Sequence, residues 1–320
     1  MLDASYPADS REAVMKCDRQ PGTAVVLFLA VLLCCGLLPS AAVARTEPVP
    51  GSLHARLVAL DAAPAQPAAE RLAAMRRAYA QAAPVAMQSG DCVALPDARL
   101  QDLFQSTALI AFYAREPATL LRLQCLYKAL VARDLAVDDH HRSMRGSLIA
   151  LQRFDEANAL NSRLQTPPTA LPTIGGKTLA GRPLLRLEDI GQVQRTVLAE
   201  DGLQVVAMVH PHCGFSRRAL QAITSQPDYA WLRARPQLVV PISQAWPGQE
   251  MLDWNRAHPD LPMQPMVSDP SWHALDTGQS PVFHLLRDGE VVATVAGWPP
   301  EGADLRVIVR HWTRKHAESA

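Results

Sequence analysis

Cys213 is the residue of this sequence whose surroundings point most directly to chemistry. It follows an apolar run at 203–209 that is typical of a buried strand, and residues 217–220 continue as a helix. This order predicts that the sulfur lies at a helix N-terminus, where unpaired N–H groups and the positive end of the dipole favour the thiolate. We therefore expect a nucleophilic thiol, the alternative being an inert buried cysteine.

Polar neighbours of Cys213 could assist such a thiolate. Ser216 lies three residues on, close enough to turn its hydroxyl toward the sulfur. His212 and His210 could stabilise the charge or shuttle a proton. A thiolate attacks a disulfide and forms a mixed disulfide, which a second thiol from the substrate or from an outside reductant must then release.

Strands and helices alternate around this cysteine in the C-terminal part of the chain. Strand-like runs are predicted at 184–187, 203–209, 238–242, 281–286 and 291–295. The last two runs are joined by Arg287-Asp288-Gly289, whose Asp-Gly pair is typical of a hairpin. The order predicts an α/β domain with a mixed sheet.

The N-terminal half is predicted to be an α-helical bundle. Helices are expected to begin near Asp97, at Glu116-Pro117, at Asp138-Asp139 and at Asp155. Residues 146–160 resemble the helix–turn–helix of a tetratricopeptide repeat, so the bundle is expected to contain repeat-like hairpins. The predicted boundaries are 1–44 for a signal peptide, 45–165 for the helical bundle, 166–175 for a proline-rich linker and 176–320 for the second domain.

Three segments in order carry a resemblance to a known family. Cys213-Gly214-Phe215-Ser216 occupies the position of a Cys-x-x-Cys redox motif. Ser280-Pro281-Val282-Phe283 resembles the loop whose cis-proline faces the active-site sulfur, and residues 285–292 with Gly297 resemble the closing hairpin. Residues 184–316 thus resemble a thioredoxin-fold domain, which covers less than half of the chain.

The resemblance implies roles for individual residues. It gives catalytic roles to Cys213 and Pro281 and substrate-binding roles to Ser280, Val282 and Phe215. Ser216 and His212 are also predicted to be catalytic, because they lie beside the thiol in the sequence. Pro281 cannot donate a hydrogen bond, while its neighbours can pair with the substrate backbone as an added strand. The expected activity is that of a thiol–disulfide reductase or isomerase without a cofactor, acting on protein thiols and disulfides or on a redox partner in the cell envelope.

Departures from the family pattern are also informative. Ser216 replaces the second cysteine, and Ala207 replaces a buried acid. The chain between Cys213 and Pro281 is long, with an extra segment at 246–273 and a helix expected around 251–256 that could form a substrate groove or a lid. Cys-Gly-Phe-Ser is also similar to the motif of monothiol glutaredoxins, which hold an iron–sulfur cluster, but that match ends after four residues and no cluster is expected.

A leader is predicted ahead of both domains. An apolar run at 24–38 is followed by small residues at 40–44, and Lys16 and Arg19 precede it. This pattern is typical of a secretory signal peptide cleaved after Ala44, with Met15 as the better start, and it predicts a periplasmic or otherwise exported protein. The alternative is an uncleaved N-terminal anchor.

Cysteine usage agrees with export. Of the six cysteines, Cys92, Cys125 and Cys213 follow the predicted leader. An odd number predicts one disulfide and one free thiol in an oxidising compartment. We expect the disulfide between Cys92 and Cys125, both in the helical half. The alternative is that this pair resolves the mixed disulfide of Cys213.

Composition excludes several classes of function. The chain has 320 residues, of which 48% are hydrophobic, and its 31 Lys and Arg balance 31 Asp and Glu, so no net positive charge recruits nucleic acid or a membrane. Residues 138–141, Asp-Asp-His-His, are interpreted as a helix start and not as a metal site. Two hypotheses remain: an exported thiol–disulfide protein, or a non-catalytic thioredoxin-fold binding or scaffold module.

Overall fold

The described N-terminal half of the protein contains helices and no strands. The computed structural model describes residues 49, 51–63, 68–83, 92, 94–233, 236–241, 243–275 and 278–298. The predicted leader at 1–44 and the last residues of the second domain, 299–320, lie outside the described residues. The helices of this half are α1 (Leu53–Asp61), α2 (Ala68–Ala82), α3 (Asp97–Ala114), α4 (Pro117–Ala132), α5 (Asp138–Ala150) and α6 (Phe154–Ala159).

Apolar stripes hold these helices together. α3 follows Pro96, and Pro117 is the first residue of α4, where its missing N–H costs no helical hydrogen bond. Helices α3, α4 and α5 pack against one another, and α1 and α2 pack against α3. Their shared core includes the fully buried Leu57, Leu100, Leu103, Leu123, Leu126 and Leu130.

The C-terminal part contains two sheets. Its strands are β1 (Thr173–Gly175), β2 (Pro183–Leu187), β3 (Gln192–Val197), β4 (Leu203–Met208), β5 (Pro236–Val240), β6 (Met263–Pro265), β7 (Val282–Arg287) and β8 (Glu290–Ala296). Its helices are α7 (Gly214–Ser225), α8 (Ala230–Arg233) and α9 (Gly248–Ala257). The larger sheet has the order β6-β5-β4-β7-β8, with β4 parallel to β5 and antiparallel to β7. The predicted helical N-terminal half and mixed-sheet C-terminal part are thus confirmed.

A smaller sheet, β1-β3-β2, extends the edge of the larger one. β1 lies inside the segment predicted as a linker and runs parallel to β3. A bridge joins Leu184 to Met266, and the Val267 N–H donates to the Pro183 carbonyl at 3.0 Å, so β2 lies beside β6. The edge of the larger sheet at β6 is therefore covered.

The two halves are in direct contact. Phe154 at the start of α6 packs edge-to-face on Trp246, with ring centroids 5.0 Å apart. Gln152 Nε2 donates to the Met266 carbonyl at 2.9 Å. Gly146 on α5 lies so close to Gln244 that an added Cβ would stand 2.9 Å from the Gln244 Cβ. The helical half therefore packs against the loop that leads into α9.

None of the helices in the described part of the chain is both long enough and apolar enough to cross a bilayer.

Candidate functional site

Cys213 caps the N-terminus of α7. Its backbone is extended, with φ −81° and ψ 119°, and its carbonyl accepts from the Arg217 N–H at 3.0 Å as the helix begins. The Cys213 N–H donates to the His210 carbonyl at 3.0 Å, which closes the turn after β4. The side chain is partly exposed, and its sulfur is not part of a disulfide. The predicted junction between a buried strand and a helix is present.

Sheet pairing brings the loop before β7 to this sulfur. Met208, the last residue of β4, pairs with Val282, the first residue of β7, so residues 280 and 281 lie beside the turn that follows β4. Cys213 Sγ donates to the Ser280 carbonyl at 3.3 Å, and the Ser280–Pro281 peptide bond is cis. The two segments, 67 residues apart in sequence, therefore form one site.

The predicted substrate-binding residues differ in what they can offer. Val282 is fully buried, backbone included, and pairs with Met208 of β4 and Ala296 of β8, so it presents no exposed group to a substrate in this structure. Ser280 Oγ is buried and has no hydrogen-bond partner in the part of the chain that the structure describes. Phe215 is partly buried, and the Arg218 guanidinium lies 4.6 Å from its ring centroid, which leaves a cation on the exposed face beside the site.

Ser216 has a structural contact within the turn. Its side chain is fully buried, and Oγ accepts a hydrogen bond from the His210 N–H at 3.2 Å. The sequence predicted that this hydroxyl turns toward sulfur; in the structure it satisfies a buried backbone donor, which would otherwise be costly to leave unpaired. Ala207, which the sequence analysis singled out, is fully buried in β4.

His210 is a buried part of the same turn. Its Nδ1 accepts from the His212 N–H at 3.2 Å, so the neutral ring carries its proton on Nε2. Burial, together with the nearby His212, lowers the pKa of His210 to about 4. His210 is therefore neutral at pH 7 and holds the turn, whereas the sequence had suggested that it stabilises the thiolate charge or shuttles a proton.

His212 meets an acid that the sequence analysis did not identify. Glu250, in the first turn of α9, places Oε1 2.9 Å from His212 Nε2. Burial would raise the pKa of Glu250, but the hydrogen bonds from His212 and from the Glu250 backbone N–H, together with the proximity of His212, lower it below its ordinary value. The two residues are 38 positions apart, so no local pattern reveals the pair.

The extra segment at 246–273 is built into the fold. Met251 of α9 is fully buried, and the Asn255 side chain both donates to and accepts from the backbone of Met263 in β6. β6 in turn pairs with β5 in the larger sheet. These contacts anchor α9 and β6 to the rest of the domain, so the segment forms one side of the site beside the cysteine turn and not a lid.

The other two described cysteines are bonded to each other. Cys92 and Cys125 form a disulfide with a Cα–Cα distance of 5.9 Å, which joins the segment before α3 to α4. Cys92 is buried in the helical core.

The Asp-Asp-His-His segment has local partners. His140 Nδ1 accepts from the Val137 N–H at 3.1 Å at the start of α5, and His141 Nδ1 lies 2.7 Å from the Tyr127 hydroxyl. Asp138 pairs with Arg142. Among the described residues, no group of three or more His, Cys, Asp or Glu is arranged to hold a metal ion.

Comparisons with known proteins add little. No protein-family model and no curated protein matches the sequence. Among solved structures, a thioredoxin-like protein from Bacteroides caccae is similar, with 13% identity over 61% of this chain and 76% of that chain and a TM-score of 0.23. Similarity at this level defines neither the fold nor the activity of this chain.

Proposed function

We propose that this protein is an exported thiol–disulfide protein, a reductase or isomerase, that forms mixed disulfides through Cys213. The contact between the sulfur and the Ser280 carbonyl carries the proposal, because it joins a thiol at a helix N-terminus to the loop containing Pro281. The strand order of the larger sheet, with β4 between β5 and β7, supports our assignment of residues 176–320 to a thioredoxin-like domain.

The N-terminus of α7 supplies the electrostatic reason for reactivity. The first N–H groups of α7 and the positive end of its dipole stabilise a negative charge on the capping residue. The bond from Sγ–H to the Ser280 carbonyl favours the protonated form, but a thiol is a weak donor. We expect the helix N-terminus to dominate and Cys213 to react as a thiolate.

The mixed disulfide needs an external thiol for its release. Cys213 is the cysteine of the described residues that is not in a disulfide, and Ser216 occupies the place of a resolving cysteine. Attack on a disulfide R–S–S–R′ forms the Cys213–S–S–R bond and releases R′–S⁻, and a second thiolate then displaces Cys213. This cycle suits reduction or isomerisation of protein disulfides better than their net formation.

Trapping the intermediate tests this function. Native protein incubated with a peptide disulfide should gain the mass of one peptide half at Cys213, and dithiothreitol should remove it. Cys213→Ala should gain none. If the folded protein gains no mass while the urea-unfolded protein does, Cys213 is not a nucleophile in the native state, and the proposal is wrong.

Export is a separate part of the proposal. The apolar run and the small residues that follow it support a leader cleaved after Ala44. Protein recovered from the cell envelope should begin at Arg45. A mature chain that retains residues 15–44 would instead indicate a membrane anchor.

A non-catalytic binding or scaffold module is the second candidate. The observation in its favour is the use of Ser216 Oγ as an acceptor for the His210 N–H, since this makes the former redox position part of the turn structure. Such a module needs no reactive thiol, so the trapping experiment distinguishes the two functions.

A further inference from the structure

We propose that Glu250 is a positioning residue that orients His212 as the proton carrier for thiol–disulfide exchange at Cys213. This inference rests on the function proposed above and gives its proton carrier, His212, a partner from the extra segment at 246–273. His212 directly precedes Cys213 in the turn, and Glu250 reaches it from α9 with a separation of 2.9 Å between Oε1 and Nε2.

Hydrogen-bonding rules fix which ring nitrogen exchanges the proton. An ionised carboxylate only accepts, so His212 Nε2 carries a hydrogen and donates it to Glu250. His212 Nδ1 has no hydrogen-bond partner in the described part of the chain. The neutral ring is therefore a base at Nδ1, and the protonated ring is an acid at the same atom. This is the arrangement of a base oriented by a third group.

The groups around His212 leave it as the accessible proton carrier. His210 faces it from the same turn with ring centroids 5.3 Å apart, but His210 is buried and neutral. Glu250 faces it from α9, and Arg218 of α7 lies over the Phe215 ring. The side chains of His212 and Glu250 are 42% and 50% exposed, so a substrate can reach the ring.

The proton balance closes over one cycle. Cys213–S⁻ attacks R–S–S–R′, the S–S bond breaks, and R′–S⁻ takes the Nδ1 proton of the His212 imidazolium to leave as R′–SH. A second thiol R″–SH then gives its proton to the neutral Nδ1 and attacks as R″–S⁻. It forms R–S–S–R″ and releases Cys213–S⁻. One thiol and one disulfide are consumed, and one of each is formed.

Two model disulfides with different leaving thiols provide the test. Bis(2-hydroxyethyl) disulfide releases a basic aliphatic thiolate that benefits from protonation, whereas 5,5′-dithiobis(2-nitrobenzoate) releases an acidic aromatic thiolate that does not. The rate of mixed-disulfide formation at Cys213 is measured with both in the native protein, Glu250→Gln, Glu250→Asp and His212→Gln. Asp253→Asn is the matched control, since Asp253 is an exposed acid of the same helix paired with Arg256.

The ratio of the two rates separates acid catalysis from a structural effect. Glu250→Gln should slow the aliphatic reaction by about tenfold or more relative to the aromatic one, because general acid catalysis contributes about 100-fold or more when aligned. His212→Gln should change the ratio at least as much. Glu250→Asp should recover part of it, and Asp253→Asn should match the native protein. A changed thiolate fraction cancels, since it alters both rates equally.

Two results would overturn the inference in distinguishable ways. If native Cys213 reacts but Glu250→Gln leaves the ratio unchanged, Glu250 does not position a proton carrier, and the proposed function stands without it. If Cys213 of the native protein reacts with neither disulfide, the proposed function fails and the inference fails with it.

Discussion

The turn between β4 and α7 uses neighbouring polar residues for different purposes. His210 accepts from the His212 N–H through its ring, and its own N–H donates to Ser216 Oγ, so these two contacts fix the backbone. His212 points its Nε2 to Glu250, outside the turn. At this scale, His210 and Ser216 fix the backbone of the turn, whereas the chemistry that we propose uses His212 and Cys213.

Proton binding to His210 should destabilise the protein in acid. Burial lowers its pKa to about 4, below the ordinary value of about 6.5, so stability is complete above pH 6.5 and falls as the pH decreases toward 4. His210→Asn retains an acceptor and does not titrate. The native protein should lose about 2 kcal/mol more than this variant between pH 7 and pH 5, measured by urea unfolding.

Equal losses in the two proteins would contradict the buried, neutral state of His210. Burial also lowers the pKa values of His140 and His284, so both proteins should retain a shared dependence on pH. The difference between the two unfolding curves is therefore the quantity that reports on His210.

Individual elements are tied down by long-range contacts of two kinds. The disulfide from Cys92 to Cys125 attaches the segment before α3 to the middle of α4. The Asn158 amide donates to the Leu171 carbonyl at 3.0 Å and accepts from the Leu171 N–H at 2.8 Å, so the proline-rich segment is held against α6. This segment connects the two halves, and these hydrogen bonds hold it in place just before β1.

Removing the disulfide should weaken the helical half without disabling the thiol. The 33-residue separation corresponds to about 3–4 kcal/mol of stability in the chain-entropy model. Cys92→Ser combined with Cys125→Ser should lower the free energy of unfolding by that amount and leave the alkylation rate of Cys213 unchanged. An unchanged free energy of unfolding, or a loss of Cys213 reactivity, would contradict this division of roles.

The whole molecule depends on the contact between its halves. Trp246 packs against the helical core and also against the core of the larger sheet. It lies two residues before α9, the helix that carries Glu250. The helical half therefore supports the loop before α9, the helix that places Glu250 beside the cysteine turn.

Gly146→Ala tests the fit between the halves. Alanine favours helix by about 1 kcal/mol, but the added Cβ would stand 2.9 Å from the Gln244 Cβ and 3.3 Å from its carbonyl oxygen. Overpacking of this kind costs about 1–3 kcal/mol, so we expect a net loss of about 1 kcal/mol in thermal or urea unfolding. Gly191→Ala, with its nearest atom at 3.5 Å, is the control and should remain within about 0.5 kcal/mol of native. A stabilised Gly146→Ala would show that the halves do not pack this closely.

Sequence patterns predicted the parts of the fold that are encoded locally. The apolar run before Cys213 and the start of α4 at Pro117 are short-range signals, and both elements are present. β3 was missed because most of its residues are polar, and it is stabilised by pairing with β1 on one side and β2 on the other. β6 was missed because it has three residues and ends in Pro265.

In the candidate site, too, the sequence predicted local features and missed those that depend on long-range contacts. Cys213 and its turn follow from neighbouring residues, whereas the bond between His212 and Glu250 depends on where α9 packs. The buried position of Val282 depends on its register with Met208. These features arise from tertiary packing, which a single sequence does not display.

The pH dependence of Cys213 alkylation tests the central claim most directly. The purified mature protein is treated with iodoacetamide across a pH series, with Cys213→Ala as the blank. We predict a thiolate that titrates well below the ordinary value of about 8.5, because Cys213 is the N-cap residue of α7 and its sulfur lies near the positive end of the helix dipole. An ordinary or raised value, or a thiol that resists alkylation until the protein unfolds, would contradict the account and leave a binding module.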